Sequence, residues 1–197
     1  MELADDHIME TFGPLTPERA GDYMQTFSGR KFWPLDPRSD EIHLEDVAHS
    51  LSMQCRYNGH CKRYYSVAEH AVHVGNWLLN NHDPVKAFYG LHHDDSEAYL
   101  ADVPRPVKPW LRGYSALEKA VQACVWDYLG MPQYVPTVVK EADDRILSDE
   151  RAQNMVYMEW DYEPGPALEI DLQFWHPEYA EQEFLMLHNR LALMLSL

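Results

Sequence analysis

The run Leu91-His92-His93-Asp94-Asp95-Ser96-Glu97 concentrates more chemistry than any other stretch of the chain. One His upstream, His70 in Ala-Glu-His, and one Asp downstream, Asp143 in Lys-Glu-Ala-Asp, complete a ligand set for a divalent cation. Two imidazoles and two carboxylates suit Mn, Fe, Co, Zn or Mg, with borderline metals favoured by the nitrogen donors. An ion held by four protein donors keeps positions for water and phosphate oxygens, and acts on both as a Lewis acid. Spacing alone leaves alternatives open. His92 competes with His93, Asp95 with Asp94 and Asp144 with Asp143, because neighbours on a helix point about 100° apart. Eleven histidines also make fortuitous pairs common. His70 and His73 could pair on one helix face, while His7, His60 and His82 lie in polar stretches and read as surface residues.

Several residues near these ligands carry complementary chemistry. Glu97 follows Asp94 by one helical turn and so faces the same side, as a general acid or base would. Its plainer reading is a solvated helix-end carboxylate. Asp102 lies in a proline-bounded segment, where an Asp also serves simply to stabilise a turn. Lys108 ends that segment and offers an ammonium to a phosphate. Lys140, three residues before Asp143, is expected to face the same cavity and make a second phosphate contact. Arg56-Tyr57 combines a bidentate phosphate donor with an aromatic face for a base, although a Tyr at a helix end is more often core.

Helices must position these groups. Leu44, Val47, Ala48 and Leu51 give residues 43–54 a helical face. Ser66 reads as an N-cap with Glu69 as its capping-box partner, opening a helix to about Leu79. Asp83 caps the next helix with Pro84 at its first position, carrying Val85, Phe88, Tyr89 and Leu91 inward and ending near His93–Asp94. Three prolines make residues 101–109 a loop. Ser115 is expected to open a helix closed by Gly130 and Pro132. Further helices are expected from Thr137 to Tyr157 and from Pro177 onward, the last with Tyr179, Phe184, Leu187, Leu191 and Leu195 on one face. Met53, Trp77, Phe88, Trp126 and Met155 sit at core spacing. The stretch 26–37 is rich in Gly, Pro and aromatics and reads as extended structure or a short hairpin. The class is all-α, a helical bundle with a short extended N-terminal segment. Residues 1–25 form a polar segment and 26–197 one domain.

Composition limits the function classes. The 197 residues suffice for one buried core, and 46 % hydrophobic content excludes general disorder. A net charge of −16 argues against binding nucleic acid, whose phosphates need a positive surface. It leaves room for a small anionic substrate. Arg56, Lys62 and Arg63 precede His70, and Arg105, Lys108 and Arg112 follow Glu97, which suggests a local positive funnel. The three cysteines, Cys55, Cys61 and Cys124, form no C-x-x-C and read as reduced thiols of a cytoplasmic protein. No apolar stretch is long enough to span a membrane.

His70, His93-Asp94 and Asp143 match the H…HD…D pattern of the HD-domain phosphohydrolases. Ser-Val-Ala-Glu-His70, Leu-His-His93-Asp94-Asp-Ser-Glu97-Ala-Tyr, Asp102-Val-Pro-Arg-Pro-Val-Lys108 and Val-Lys140-Glu-Ala-Asp143 together resemble one subgroup, over residues 26–195. That subgroup contains the bacterial deoxynucleoside 5′-monophosphatases and the phage dATP triphosphohydrolases. The resemblance implies His93 and Asp94 as ligands over their neighbours, since the family places the pair before Glu97. It also implies a catalytic Glu97, an Asp102 that binds the deoxyribose 3′-hydroxyl, and a Lys108 on the substrate phosphates. Arg56 and its following aromatic have counterparts there, the aromatic being often Trp and here Tyr57. The implied substrate is a small 2′-deoxynucleotide and the implied assembly a homo-oligomer. Positive charge beyond the need of one phosphate favours a triphosphate, and the resemblance implies a dATP-type dNTP, cleaved to deoxynucleoside and triphosphate. The alternatives are a deoxynucleoside 5′-monophosphatase and a non-catalytic nucleotide-binding scaffold.

Overall fold

A computed structural model describes residues 19–197. Most of segment 1–25, including His7, lies outside the described residues. Strand β1 (Met24–Gln25) pairs antiparallel with β2 (Lys31–Phe32), in register Met24 with Phe32. This hairpin straddles the boundary drawn at residue 26. The remaining regular structure is helical: α1 (Leu44–Met53), α2 (Val67–Asn81), α3 (Pro84–His92), α4 (Glu97–Leu100), α5 (Tyr114–Tyr128), α6 (Thr137–Asn154) and α7 (Pro177–Leu195). The fold is all-α. No helix among the described residues is long and apolar enough to cross a membrane.

Local signals set most helix starts. The Ser66 hydroxyl accepts from the Glu69 amide at 3.0 Å, and Asp83 accepts from the Lys86 amide at 2.9 Å with Pro84 in the first turn. Each satisfies one of the donors that a helix start leaves free. The reciprocal half of the capping box does not form. The Glu69 carboxylate instead accepts the backbone amides of Gln173, Phe174 and Trp175 at 2.9, 2.7 and 2.7 Å. It thereby pins the chain entering α7 against α2. Ser115 is not a cap either. Gly113, at φ 79°, takes the N-cap position and α5 starts at Tyr114. Helix α6 stops at Asn154, short of Tyr157, because the Asn154 side chain is committed to the Arg63 backbone. Its Oδ1 accepts the Arg63 amide and its Nδ2 donates to the Arg63 carbonyl.

Helix α2 runs through the centre. It packs most extensively on α3, and α7 lies across α1, α2 and α3 while α6 covers α2 and α3. Gly90 and Gly75 face one another across α2 and α3: a Cβ on Gly90 would strike Leu78 and stand 3.6 Å from the Gly75 Cα. Their lack of side chains brings the two helices close. Val67, Ala71, Val74, Leu78, Phe88, Leu91, Ile146, Phe184 and Leu191 form the buried centre. Val85, Met53 and Tyr179, expected inward, are exposed. Val85 lies in the first turn of α3 and Tyr179 in that of α7, while Met53 is the last residue of α1, so these helix ends project past the core. On α7 the inward position falls to Ala180 instead.

Candidate metal centre

Helix α2 supplies His70, the turn after α3 supplies His93 and Asp94, and the second turn of α6 supplies Asp143. One donor atom from each lies within 4.8 Å of all the others, a group that could hold a metal ion. His70 Nε2 is 3.3 Å from Asp143 Oδ1 and 3.8 Å from Asp94 Oδ2. His93 Nε2 is 3.2 Å from Asp94 Oδ2 and 3.6 Å from Asp143 Oδ1.

The far side of each imidazole sets its orientation. His70 Nδ1 lies 2.7 Å from Glu150 Oε1, and His93 Nδ1 lies 2.8 Å from the Gly90 carbonyl. A carboxylate and a carbonyl can only accept, so both Nδ1 atoms donate. The Nε2 atoms of both rings are buried and take no hydrogen-bond partner. A metal ligand needs this arrangement, one nitrogen anchored and the other aimed inward. The electrostatics agree. Burial alone would lower the His93 pKa, yet the carboxylates of Asp94 and Asp143 hold it well above its usual range. Burial also disfavours the two carboxylates, but the imidazoles hold Asp94 down to about 2 and Asp143 well below its usual value. Two half-buried carboxylates here call for positive charge, which a divalent cation satisfies more fully than a proton does.

The rival ligands are committed elsewhere. His92 turns into the core, its Nδ1 2.7 Å from Asp95 Oδ2 and its Nε2 2.9 Å from His188 Nδ1. Asp144 pairs with Lys140 at 2.6 Å and with Arg105 at 3.0 Å.

Glu97 is only 5 % exposed, and its Oε2 is buried without a hydrogen-bond partner. Burial, then the charges of Asp94 and Asp102, push its pKa well above the usual carboxyl range, against the pull of Arg56 and Lys108. Lys108 Nζ lies 3.6 Å from Glu97 and 2.8 Å from Glu118. The Arg56 guanidinium is buried, 3.9 Å from Asp94 and 3.3 Å from Glu150. Tyr57, at φ 58°, donates its hydroxyl to Glu150, so its ring is fixed from below. The Asp102 amide donates to Gln54 Oε1 at 3.0 Å, and the Gln54 amide group donates to the Glu97 carbonyl. Lys140 does not point into the cavity. Its side chain is 61 % exposed and its ammonium sits 3.1 Å from Asp143 Oδ2, on the outer rim.

Sequence reasoning missed Glu150, which is fully buried and joins His70, Arg56 and Tyr57. Burial works against its charge, but Arg56 and His70 hold its pKa down to about 2. Its position seven residues after Asp143, two turns along the same face of α6, was the available signal. A groove of about 670 Å³ lies between the hairpin, α1 and α4, with Phe27, His49, Met53 and Gln54 in its walls and Glu97 at one side.

No family model matches the chain. The uncharacterised protein YfdR of Escherichia coli K12 is 38 % identical over 129 residues, 66 % of this chain and 70 % of that protein. An uncharacterised protein of Rhodobacter capsulatus is 32 % identical over 126 residues, 61 % of this chain and 64 % of that one.

Proposed function

The chain belongs to the family of the uncharacterised Escherichia coli protein YfdR, and we propose that it is a metal-dependent hydrolase of 2′-deoxynucleotides. One observation carries the proposal: two buried, unpartnered imidazole nitrogens converge with Asp94 and Asp143 beside the buried Glu97. A divalent ion held by His70, His93, Asp94 and Asp143 supplies Lewis-acid polarisation of a phosphate oxygen and of the attacking water. The side chains supply the rest. Arg56 and Lys108 neutralise the phosphate that reacts. Glu97, within reach of both Asp94 and Lys108, moves the proton between the attacking water and the leaving 5′-oxygen. Asp102 reads the sugar and Tyr57 offers its ring to the base.

The preferred substrate is a dATP-type dNTP, cleaved between the 5′-oxygen and the α-phosphorus to give deoxynucleoside and triphosphate. Lys140 and Arg105, exposed beside Asp143 and Asp144, add two cations to Arg56 and Lys108 that suit the distal phosphates. A deoxynucleoside 5′-monophosphatase is the second reading. Its support is that Lys140 and Arg105 are exposed and already paired, leaving two cations at the centre, enough for one phosphate. Exposed Met186, Leu193 and Met194 on α7 suit self-association into a homo-oligomer.

A product assay across the dNTPs and dNMPs with Mn, Co, Zn and Mg tests the proposal. Triphosphate from a dNTP supports the first reading and inorganic phosphate from a dNMP the second. No product from any pair of nucleotide and metal overturns both. His93→Ala and Asp94→Ala are expected to lose metal binding and turnover together. A non-catalytic scaffold would show no turnover and keep its nucleotide affinity in both variants.

A further inference from the structure

Cys55 and Cys61 are six residues apart, and their sulfurs stand 3.7 Å from one another. Both are free thiols with half-buried side chains, within reach of a small reagent. The approach is built by the backbone. Tyr57, Asn58 and Gly59 all take positive φ, at 58°, 51° and 77°, and this left-handed run reverses the chain. Both ends of the turn are then anchored. Cys55 bridges to Ser66, and the amide of Lys62 donates to the Asn154 carbonyl at 2.8 Å. Such a frame keeps the two sulfurs together without a bond between them. A disulfide needs an S–S separation of about 2.05 Å, a further approach that side-chain rotation supplies.

We propose that Cys55 and Cys61 are a redox-active dithiol that closes to an intramolecular disulfide when it meets a small-molecule disulfide oxidant. The Cys55 thiolate attacks the oxidant's S–S bond, forming a mixed disulfide and expelling one thiolate, which takes up a proton. Cys61 then loses its proton, attacks the Cys55 sulfur and expels the second thiolate. In net, two protein thiols are oxidised to one disulfide, and one oxidant disulfide is reduced to two thiols. Geometry sets the order: the Cys61 thiol donates to the Arg63 carbonyl at 3.1 Å, and burial and the hydrogen bond with Cys55 push it up to about 11. The ring so formed encloses Arg56 and Tyr57, the two residues that hold Glu150 from one side. The dithiol chemistry itself needs no nucleotide, so its test does not depend on the proposed hydrolysis.

The test uses full-length protein carrying Cys124→Ser, oxidised glutathione at pH 7.5 and intact mass spectrometry. The expected result is a monomer lighter by about 2 Da, restored by dithiothreitol. Adding either Cys61→Ser or Cys55→Ser should abolish the loss of about 2 Da and leave one glutathione adduct on the remaining cysteine. No change in mass, a stable adduct without closure while both cysteines are present, or a disulfide-linked dimer overturns the proposal.

Discussion

Replacing Glu150 by Gln tests the structural reasoning most directly, because one residue links folding stability to the candidate metal centre. Glu150 has no solvent exposure and accepts from His70, Arg56 and Tyr57. Its carboxyl is lowered from 4.5 to about 2, which corresponds to about 3 kcal/mol of folding stability at neutral pH. Independently, removing one partner of a buried ion pair costs about 3–5 kcal/mol, and here Arg56 would be the charge left behind. The two routes agree in size. With a urea dependence near 2 kcal/mol per M, the unfolding midpoint of Glu150→Gln should fall by about 1.5 M. The pH dependence has a definite sign. A carboxyl whose pKa is depressed by folding contributes fully above 4.5 and loses that contribution as pH falls towards about 2. The wild type should therefore lose stability across that window, and Glu150→Gln should show a flatter profile there. Isothermal titration with Mn²⁺ supplies the second readout. Without its anchor on His70 Nδ1, affinity should drop about 10–100-fold. A midpoint within about 0.3 M of wild type together with unchanged Mn²⁺ affinity would refute the reasoning.

On the proposed function, in which Glu97 moves a proton and does not ligate, Glu97→Gln should keep Mn²⁺ affinity near that of wild type and lower turnover of the best nucleotide about 10²–10⁴-fold. Steady-state kinetics beside a metal titration separates the two effects, and equal loss of both would make Glu97 a structural residue. Glu69→Ala strips the acceptor from the amides of Gln173, Phe174 and Trp175. It should cost about 3 kcal/mol or more in urea unfolding. Amide exchange should speed up at residues 173–175, and protection there unchanged from wild type would count against the clamp.

Much of the architecture was legible locally. The Ser66 and Asp83 caps, Pro84, and the apolar periodicity around α2 and α3 place the helices that carry His70 and His93, because capping and amphipathicity are properties of a few neighbouring residues. Residue types and order narrowed the candidate ligands to His70, His92 or His93, Asp94 or Asp95, and Asp143 or Asp144, and the family resemblance implied His93 and Asp94. Neighbouring positions were harder. His92 and Asp144 share the chemistry of His93 and Asp143, and the contacts of His92 with Asp95 and His188, and of Asp144 with Lys140 and Arg105, commit them elsewhere. Glu69 looked like a cap because its spacing from Ser66 suits one, yet its carboxylate serves a segment a hundred residues away. Lys140 shares a helix turn with Asp143 but leans along the outer rim.

By itself, then, the sequence determined the helical class, the main helix starts and a short list of candidate metal ligands with a neighbouring carboxylate. The tertiary structure decided which imidazole nitrogens stay unpartnered, which acid anchors His70, and that Cys55 meets Cys61. The reason is physical. Helix periodicity and caps depend on contacts within a turn or two. A buried charge such as Glu150, by contrast, is tolerable only because Arg56, Tyr57 and His70 arrive from other parts of the chain. No local pattern records that meeting.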